Sequence, residues 1–269
     1  MSEITTPQRC RQAWKYFGLT FAVSWTCWGT AALTGQEWTS PPVLALFALG
    51  GFGPSVAAAV LLRQDSATSR QEFIRRMWDW RRVRGRWWLA IAALAFGPPL
   101  LARLLPLEAG DEAASLSFAA FPVLMVGLVA GLAEEPGWRG YAQDRLGDAY
   151  SHLVASLVVG VGWSVWHLPL YFIQGTFQHE VGLSPTALLF FLAVIPSSVL
   201  YAWVFVNTGR SILAVIVFHA LANLAGEMLP VRNEAQAAAL GIVVLVAVLI
   251  AITRGRSLQG RATRLGESA

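Results

Sequence analysis

Four polar side chains stand in or at the ends of apolar runs: Glu134, His167, His219 and Asn223. A carboxylate, two imidazoles and a carboxamide in one buried, wetted cavity have the parts for hydrolysis. Glu134 can take a proton from water. His167 can orient that water or pass its proton, and His219 and Asn223 can donate hydrogen bonds to a developing oxyanion. No serine or cysteine sits beside either histidine in a nucleophile–base arrangement; Ser164, three residues from His167, is a weak candidate.

The local sequence constrains these groups. Adjacent residues of a helix point about 100° apart, so Glu134 and Glu135 are not expected to face one point. Glu135 and Arg139 are four apart, the spacing of an ion pair on one face, and Glu134 is left to face something else. Pro136 cannot donate to the Leu132 carbonyl, which weakens the helix there. Trp163 shares a face with His167, and His219 with Asn223, again at four-residue spacing. Taken singly, each segment also has a bland reading: an interfacial charge cluster for the first, and polar contacts between helices for the other two.

The elements that must hold these groups follow from composition. The chain has 269 residues, 55% of them in the AVILMFWYC set and 13% charged. A soluble domain usually carries about 25% charge. Half that is too little to coat a water-facing surface, which excludes a disordered chain, a nucleic-acid-binding domain and an ordinary cytosolic enzyme. Cys10 and Cys27 offer neither a disulfide framework nor a metal-binding spacing.

An all-α, polytopic membrane bundle is expected. Spans need roughly 20 mainly apolar residues, and eight candidates occur: 16–33, 43–62, 87–105, 118–133 with an extension, 153–173, 186–206, 211–229 and 237–252. If both termini are cytoplasmic, 18 of the 20 Lys and Arg residues lie inside, and only Arg103 and Arg232 lie outside. The expected location is the inner (cytoplasmic) membrane, with a single integral-membrane domain over 1–269 and a catalytic core at about 118–229. Residues 64–86 form a basic cytoplasmic loop or an interfacial helix, in which Phe73, Ile74, Met77, Trp78 and Trp80 fall roughly on one stripe. Ser184 and Pro185 read as N-cap and first residue of the sixth span.

Depth brings the polar groups together. At about 1.5 Å per residue, His219 lies roughly 13 Å and Asn223 roughly 20 Å from the cytoplasmic end of their helix. If the fourth helix runs on to Asp144, Glu134 is roughly 15 Å deep; His167 is roughly 21 Å deep. One layer in the inner half of the membrane can hold all four, with the site facing the cytoplasm.

Three motifs in this order resemble those of the CAAX-protease and bacteriocin-processing group of intramembrane endopeptidases, also called the CPBP or ABI family. They are Glu134-Glu135-x-x-x-Arg139, Trp163-x-x-x-His167 and His219-x-x-x-Asn223. The resemblance covers about 131–226. It implies cleavage of a peptide bond near the C-terminus of a membrane-associated protein or peptide, at a site open to the cytoplasm. It implies Glu134 as general base with His167 as partner, His219 and Asn223 as oxyanion hole, and Glu135 and Arg139 as supporting residues. Trp163 stands where phenylalanine is commoner, a departure expected to change packing more than chemistry. The resemblance favours no cofactor; the alternative is zinc on Glu134, His167 and His219, although no HExxH motif is present. The expected partners are the lipid bilayer and a peptide or protein substrate, lipid-anchored or not, with a non-prenylated peptide the safer expectation and no nucleic acid. Competing readings are a proton-coupled transporter and a non-catalytic immunity or scaffold membrane protein.

Overall fold

A computed structural model describes residues 5–105, 120–229, 231, 233–254 and 258. Its helices follow the apolar runs: α1 (Thr6–Leu33), α2 (Pro41–Gly51), α3 (Gly53–Leu62), α4 (Ala67–Trp78), α5 (Gly85–Arg103), α6 (Ala120–Glu135), α7 (Asp144–Ala149), α8 (His152–Trp166), α9 (Phe177–Val181), α10 (Pro185–Asn207), α11 (Ile212–Met228) and α12 (Asn233–Thr253). No strand occurs among the described residues. The chain is an all-α, membrane-type helical bundle.

A helix occupies each of the eight expected places. By length and composition, the stretches 152–172, 185–207 and 234–253 are each able to cross a membrane, and α2 with α3 makes a fourth, bent by 48°. The bend falls at Phe52, between the paired glycines Gly50-Gly51 and the Gly53-Pro54 that opens α3. Proline at the first turn needs no N–H partner, so α3 starts anew instead of continuing α2. Residues 118 and 119, expected to begin the fourth span, lie outside the described residues, as does Arg232. Ser184 caps α10 as its sequence indicates, with its hydroxyl accepting from the Ala187 N–H, and Pro185 is the first helical residue.

The fourth helix does run on to Asp144, but through a wider, π-helical stretch over Pro136–Gln143. Pro136 has no N–H to offer the Leu132 carbonyl, and that carbonyl accepts instead from the Ser55 hydroxyl of α3, at 3.0 Å. Stretches of this kind recur at functional sites because they rotate side chains out of the regular helical phase.

Small residues set the distance between the helices that carry the site. Gly127 and Gly131, four apart on α6, lie against Ala220 and Ile216 of α11. A Cβ at Gly131 would stand 2.8 Å from the Ile216 carbonyl oxygen. The two backbones can approach this closely only because no side chain separates them. Gly160 does the same for α8 against Ile195 and Ser198 of α10. The α6–α11 and α8–α10 pairs are the most extensive helix contacts of the bundle.

The basic segment contains a true helix, α4. Its stripe divides: Phe73 and Arg76 are buried against the bundle, whereas Ile74 and Trp78, with Trp80 beyond the helix, are more than half exposed.

Candidate active site

The α6–α11 approach delivers Glu134 and Glu135 to His219. The Glu135 carboxylate lies 2.8 Å from His219 Nδ1, and Glu134 Oε1 lies 4.0 Å from His219 Nε2. Both glutamates therefore meet one residue, contrary to the expectation that they face apart. One imidazole can meet both because its two nitrogens direct their bonds outward in different directions.

Arg139 completes this group. It is fully buried, and its Nη1 donates to both Glu135 oxygens at 3.0 Å each. Nη2 donates to the Ser198 hydroxyl of α10 at 3.3 Å. The guanidinium rests against both Trp163 and Tyr201, 4.3 Å from each ring centroid. Attraction to two ring faces in a water-poor interior adds to the ion pair. The Glu135–Arg139 pair expected from spacing is thus present, and it is held from two further helices. Ser198 and Tyr201 carry no motif of their own; their signal is a hydroxyl and a phenol three residues apart within an apolar helix.

Glu134 receives its own donor. The Trp163 indole N–H donates to Glu134 Oε2 at 2.7 Å. Tryptophan at this position changes the chemistry of the carboxylate, not only the packing, because phenylalanine has no N–H to give.

His167 ends α8. Pro169 cannot continue the hydrogen-bond ladder, so the helix closes at Trp166 and His167 becomes its C-cap. His167 Nδ1 lies 2.7 Å from the Trp163 carbonyl oxygen. A carbonyl only accepts, so Nδ1 carries the proton and Nε2 is left as the acceptor. The ring edge meets Phe190 of α10 at a centroid distance of 5.2 Å.

One cavity of about 400 Å³ is lined by Glu134, Trp163, His167, His219 and Asn223 together. Asn223 is exposed on it, one turn beyond His219 on α11. The rest of the lining is mostly apolar, with Leu94 and Pro98 of α5, Phe190 and Val194 of α10, and Leu240 and Val243 of α12, alongside Ser197, Tyr201 and Gln236. Glu227 is exposed and is not part of the lining. Ser164 points elsewhere, donating to the Phe191 carbonyl. Among the described residues, no three His, Cys, Asp or Glu side chains are arranged to hold a metal ion. Glu135 occupies Nδ1 of His219, and the Trp163 carbonyl occupies Nδ1 of His167.

Comparison with known proteins places the chain in a family. The family described as "Type II CAAX prenyl endopeptidase Rce1-like" matches residues 116–225, the segment that carries all three motifs. The chain is 30% identical over 247 residues to CAAX prenyl protease 2 of Methanococcus maripaludis, covering 87% of this chain and 91% of that relative. The chain belongs to the Rce1-like CAAX prenyl endopeptidase family of intramembrane proteases.

Proposed function

We propose that this protease hydrolyses a peptide bond near the C-terminus of a membrane-associated polypeptide, with a water activated by Glu134. The observation that carries this reading is the cavity that Glu134, His167, His219 and Asn223 line together, within a mostly apolar wall. Glu134 takes a proton as water attacks the scissile carbonyl carbon. His167 holds the same water through Nε2, the acceptor left by its bond to the Trp163 carbonyl. The oxyanion is met by donors from Asn223 and His219. When the C–N bond breaks, Glu134 returns the proton to the leaving amine. No step passes through a metal.

The place of His219 between the carboxylates gives its role a chemical condition. A ring that keeps Nδ1–H on Glu135 and also donates from Nε2 carries both protons. The buried group then holds two cations, Arg139 and His219, and two anions, Glu134 and Glu135. A balanced set of this kind is far cheaper to bury than any unpaired member.

For substrate, we propose a polypeptide whose scissile bond lies beside an apolar segment or lipid tail, which the apolar wall between α5, α10 and α12 would cover. The relative's name points to prenylated substrates. For topology, we propose eight crossings of the inner membrane, with both termini and the opening of the site on the cytoplasmic side, in accord with the arginine distribution.

The test is cleavage of an internally quenched C-terminal peptide, prenylated or not, by the protein in lipid nanodiscs. Glu134→Gln, His167→Ala and His219→Ala should each lower kcat by about 10³-fold or more, the scale of a lost general base or oxyanion donor. Full activity in Glu134→Gln would end the hydrolytic reading. A preference for the prenylated peptide of at least tenfold in kcat/KM would assign the apolar wall to a lipid tail.

A further inference from the structure

A second cavity, of about 300 Å³, opens at the end of the bundle where α4 packs, far along the helices from the cavity of Glu134, and shares no lining residue with it. Arg9, Arg76, Arg82, Arg145 and Arg210 line it. Three acidic residues, Asp65, Glu72 and Asp144, share that lining. Arg145 pairs with Asp65, and Arg9 with Asp148 at 2.6 Å. Asp144 has to serve two guanidiniums, those of Arg76 and Arg210. The pairing is therefore incomplete where Arg76 stands. Its side chain is only 9% exposed, and Nε and Nη1 have no hydrogen-bond partner, Nη1 being 3.3 Å from Asp144 outside bonding geometry. Arg82 pairs with Glu72 at 2.5 Å and donates to the Gly209 carbonyl at 3.1 Å, while its Nε, 3.8 Å from Asp79, is buried without a hydrogen bond. Burial pulls the Arg76 guanidinium down to about 10.

The remaining wall adds to the positive field. Thr68 and Ser69 line the cavity from the first turn of α4, whose 12 residues carry no acidic side chain in that turn. The Ser66 hydroxyl caps this end by accepting from the Ser69 N–H at 3.2 Å, and the positive end of the helix lies at the cavity wall. Arg210 is held at the rim with φ of 60°, in the left-handed region and directly after Gly209 at 66°. Strain of this kind in a residue with a side chain persists where the surroundings fix it.

We propose that this cavity binds a phosphate-class anion. Unmet guanidinium N–H groups arriving from different elements suit a tetrahedral group with several acceptor oxygens better than a planar carboxylate. Two sources share that chemistry: the headgroup of an anionic phospholipid and soluble phosphate. Ile74, Trp78 and Trp80 are exposed along the same segment, as residues at a headgroup boundary are. The proposal does not depend on the hydrolytic reading, and the Glu134→Gln protein should bind the anion as the wild type does.

The experiment compares thermal stability and native mass spectra of the full-length protein in phosphatidylcholine nanodiscs. One arm adds phosphatidylglycerol, and the other adds inorganic phosphate at about 10 mM. Binding at 100 times Kd should raise Tm by about 3 °C or more. Arg76→Gln and Arg82→Gln should lower adduct occupancy about tenfold, as for the loss of one charge-assisted contact. Arg81→Gln, which is exposed and outside the lining, should leave it unchanged. A response to phosphatidylglycerol alone identifies a lipid, and an equal response to inorganic phosphate identifies a soluble anion; either supports the site if Arg82→Gln abolishes it. Should Arg76→Gln fail to fold, Arg82→Gln still decides. No response in either arm, or equal responses in wild type, Arg81→Gln and Arg82→Gln, would overturn the proposal.

Discussion

The indole N–H of Trp163 donates to Glu134 Oε2 across 2.7 Å, from one helix to another. The same ring covers the guanidinium of Arg139 at 4.3 Å. Trp163 thus touches both acid–base halves of the buried group: it orients the carboxylate proposed to activate water and packs the cation that holds the second carboxylate. Its own backbone carbonyl, meanwhile, fixes the His167 tautomer.

Trp163→Phe separates these duties. The phenyl ring keeps the stacking on Arg139 and the backbone carbonyl keeps His167, but the N–H is gone. A hydrogen bond to a charged group contributes roughly 1.5–3 kcal/mol. If that orientation matters in the transition state, kcat should fall about tenfold or more, at about 1.4 kcal/mol per decade, in a protein that still folds but whose Tm is several degrees lower. Steady-state kinetics on the cleaved peptide decides it; a kcat equal to wild type would reduce Trp163 to a packing residue.

Arg139 should behave differently from Glu134, because its partners are structural. Removing it leaves Glu135 charged and buried, and breaking such a pair typically costs about 3–5 kcal/mol. Arg139→Ala should therefore lose the folded, monodisperse protein on mild heating, whereas Glu134→Gln should remain folded and be inactive. Arg139→Lys should recover little, since a single ammonium nitrogen cannot bond Glu135 and Ser198 from two separate positions and also offer a planar cation to the two rings. Size-exclusion chromatography after a temperature series measures this. An Arg139→Ala protein as heat-resistant as wild type would show that the ion pair does not hold the site.

Much of this site is visible in the sequence because the relevant spacings are local. Glu135 with Arg139, and Trp163 with His167, are contacts between residues four apart on one helix, which periodicity alone reveals. The order of the three motifs could likewise be matched to a family. What periodicity does not reveal lies between helices. Ser55 meets the Leu132 carbonyl from another helix, and Ser198 and Tyr201 meet Arg139 from α10. The meeting of both glutamates at His219 escaped the helical-wheel argument, because that argument treats a side chain as a direction and leaves out the width of an imidazole. The split of the α4 stripe, with Phe73 inward and Trp78 outward, was equally invisible, because both residues are aromatic and only the neighbouring bundle distinguishes them.

The glycines of α6 make the approach to α11 testable without touching a polar group. At Gly131, a Cβ would lie 2.8 Å from a backbone oxygen and 3.2 Å from the Ile216 Cα, neither of which can swing aside. Gly131→Val should push the helices apart, carry Glu134 and Glu135 away from His219, and lower both Tm and kcat. Overpacking of this kind costs about 1–3 kcal/mol. Gly241→Ala in α12, where nothing lies within 4 Å, is the matched control. It should be neutral or slightly stabilising, by up to about 1 kcal/mol of helix propensity. Equal behaviour of the two variants would mean that the close crossing does not position the site.

A metal-free route makes a last, separable prediction. Nδ1 of His167 meets a carbonyl and Nδ1 of His219 meets Glu135, which leaves Nε2 of each ring as the nitrogen open to another partner. Their Nε2 atoms remain, but no three acidic, imidazole or thiol side chains among the described residues are arranged around one point. Cleavage in nanodiscs should therefore be unaffected by prolonged dialysis against a chelator, and added zinc should not raise kcat. Loss of activity on dialysis, restored by stoichiometric zinc in the wild type but not in His219→Ala, would overturn the metal-free route and put an ion on Glu134 and the Nε2 atoms of His167 and His219. In that case Glu135 would stay on His219 Nδ1, as the outer carboxylate that orients a metal-bound imidazole.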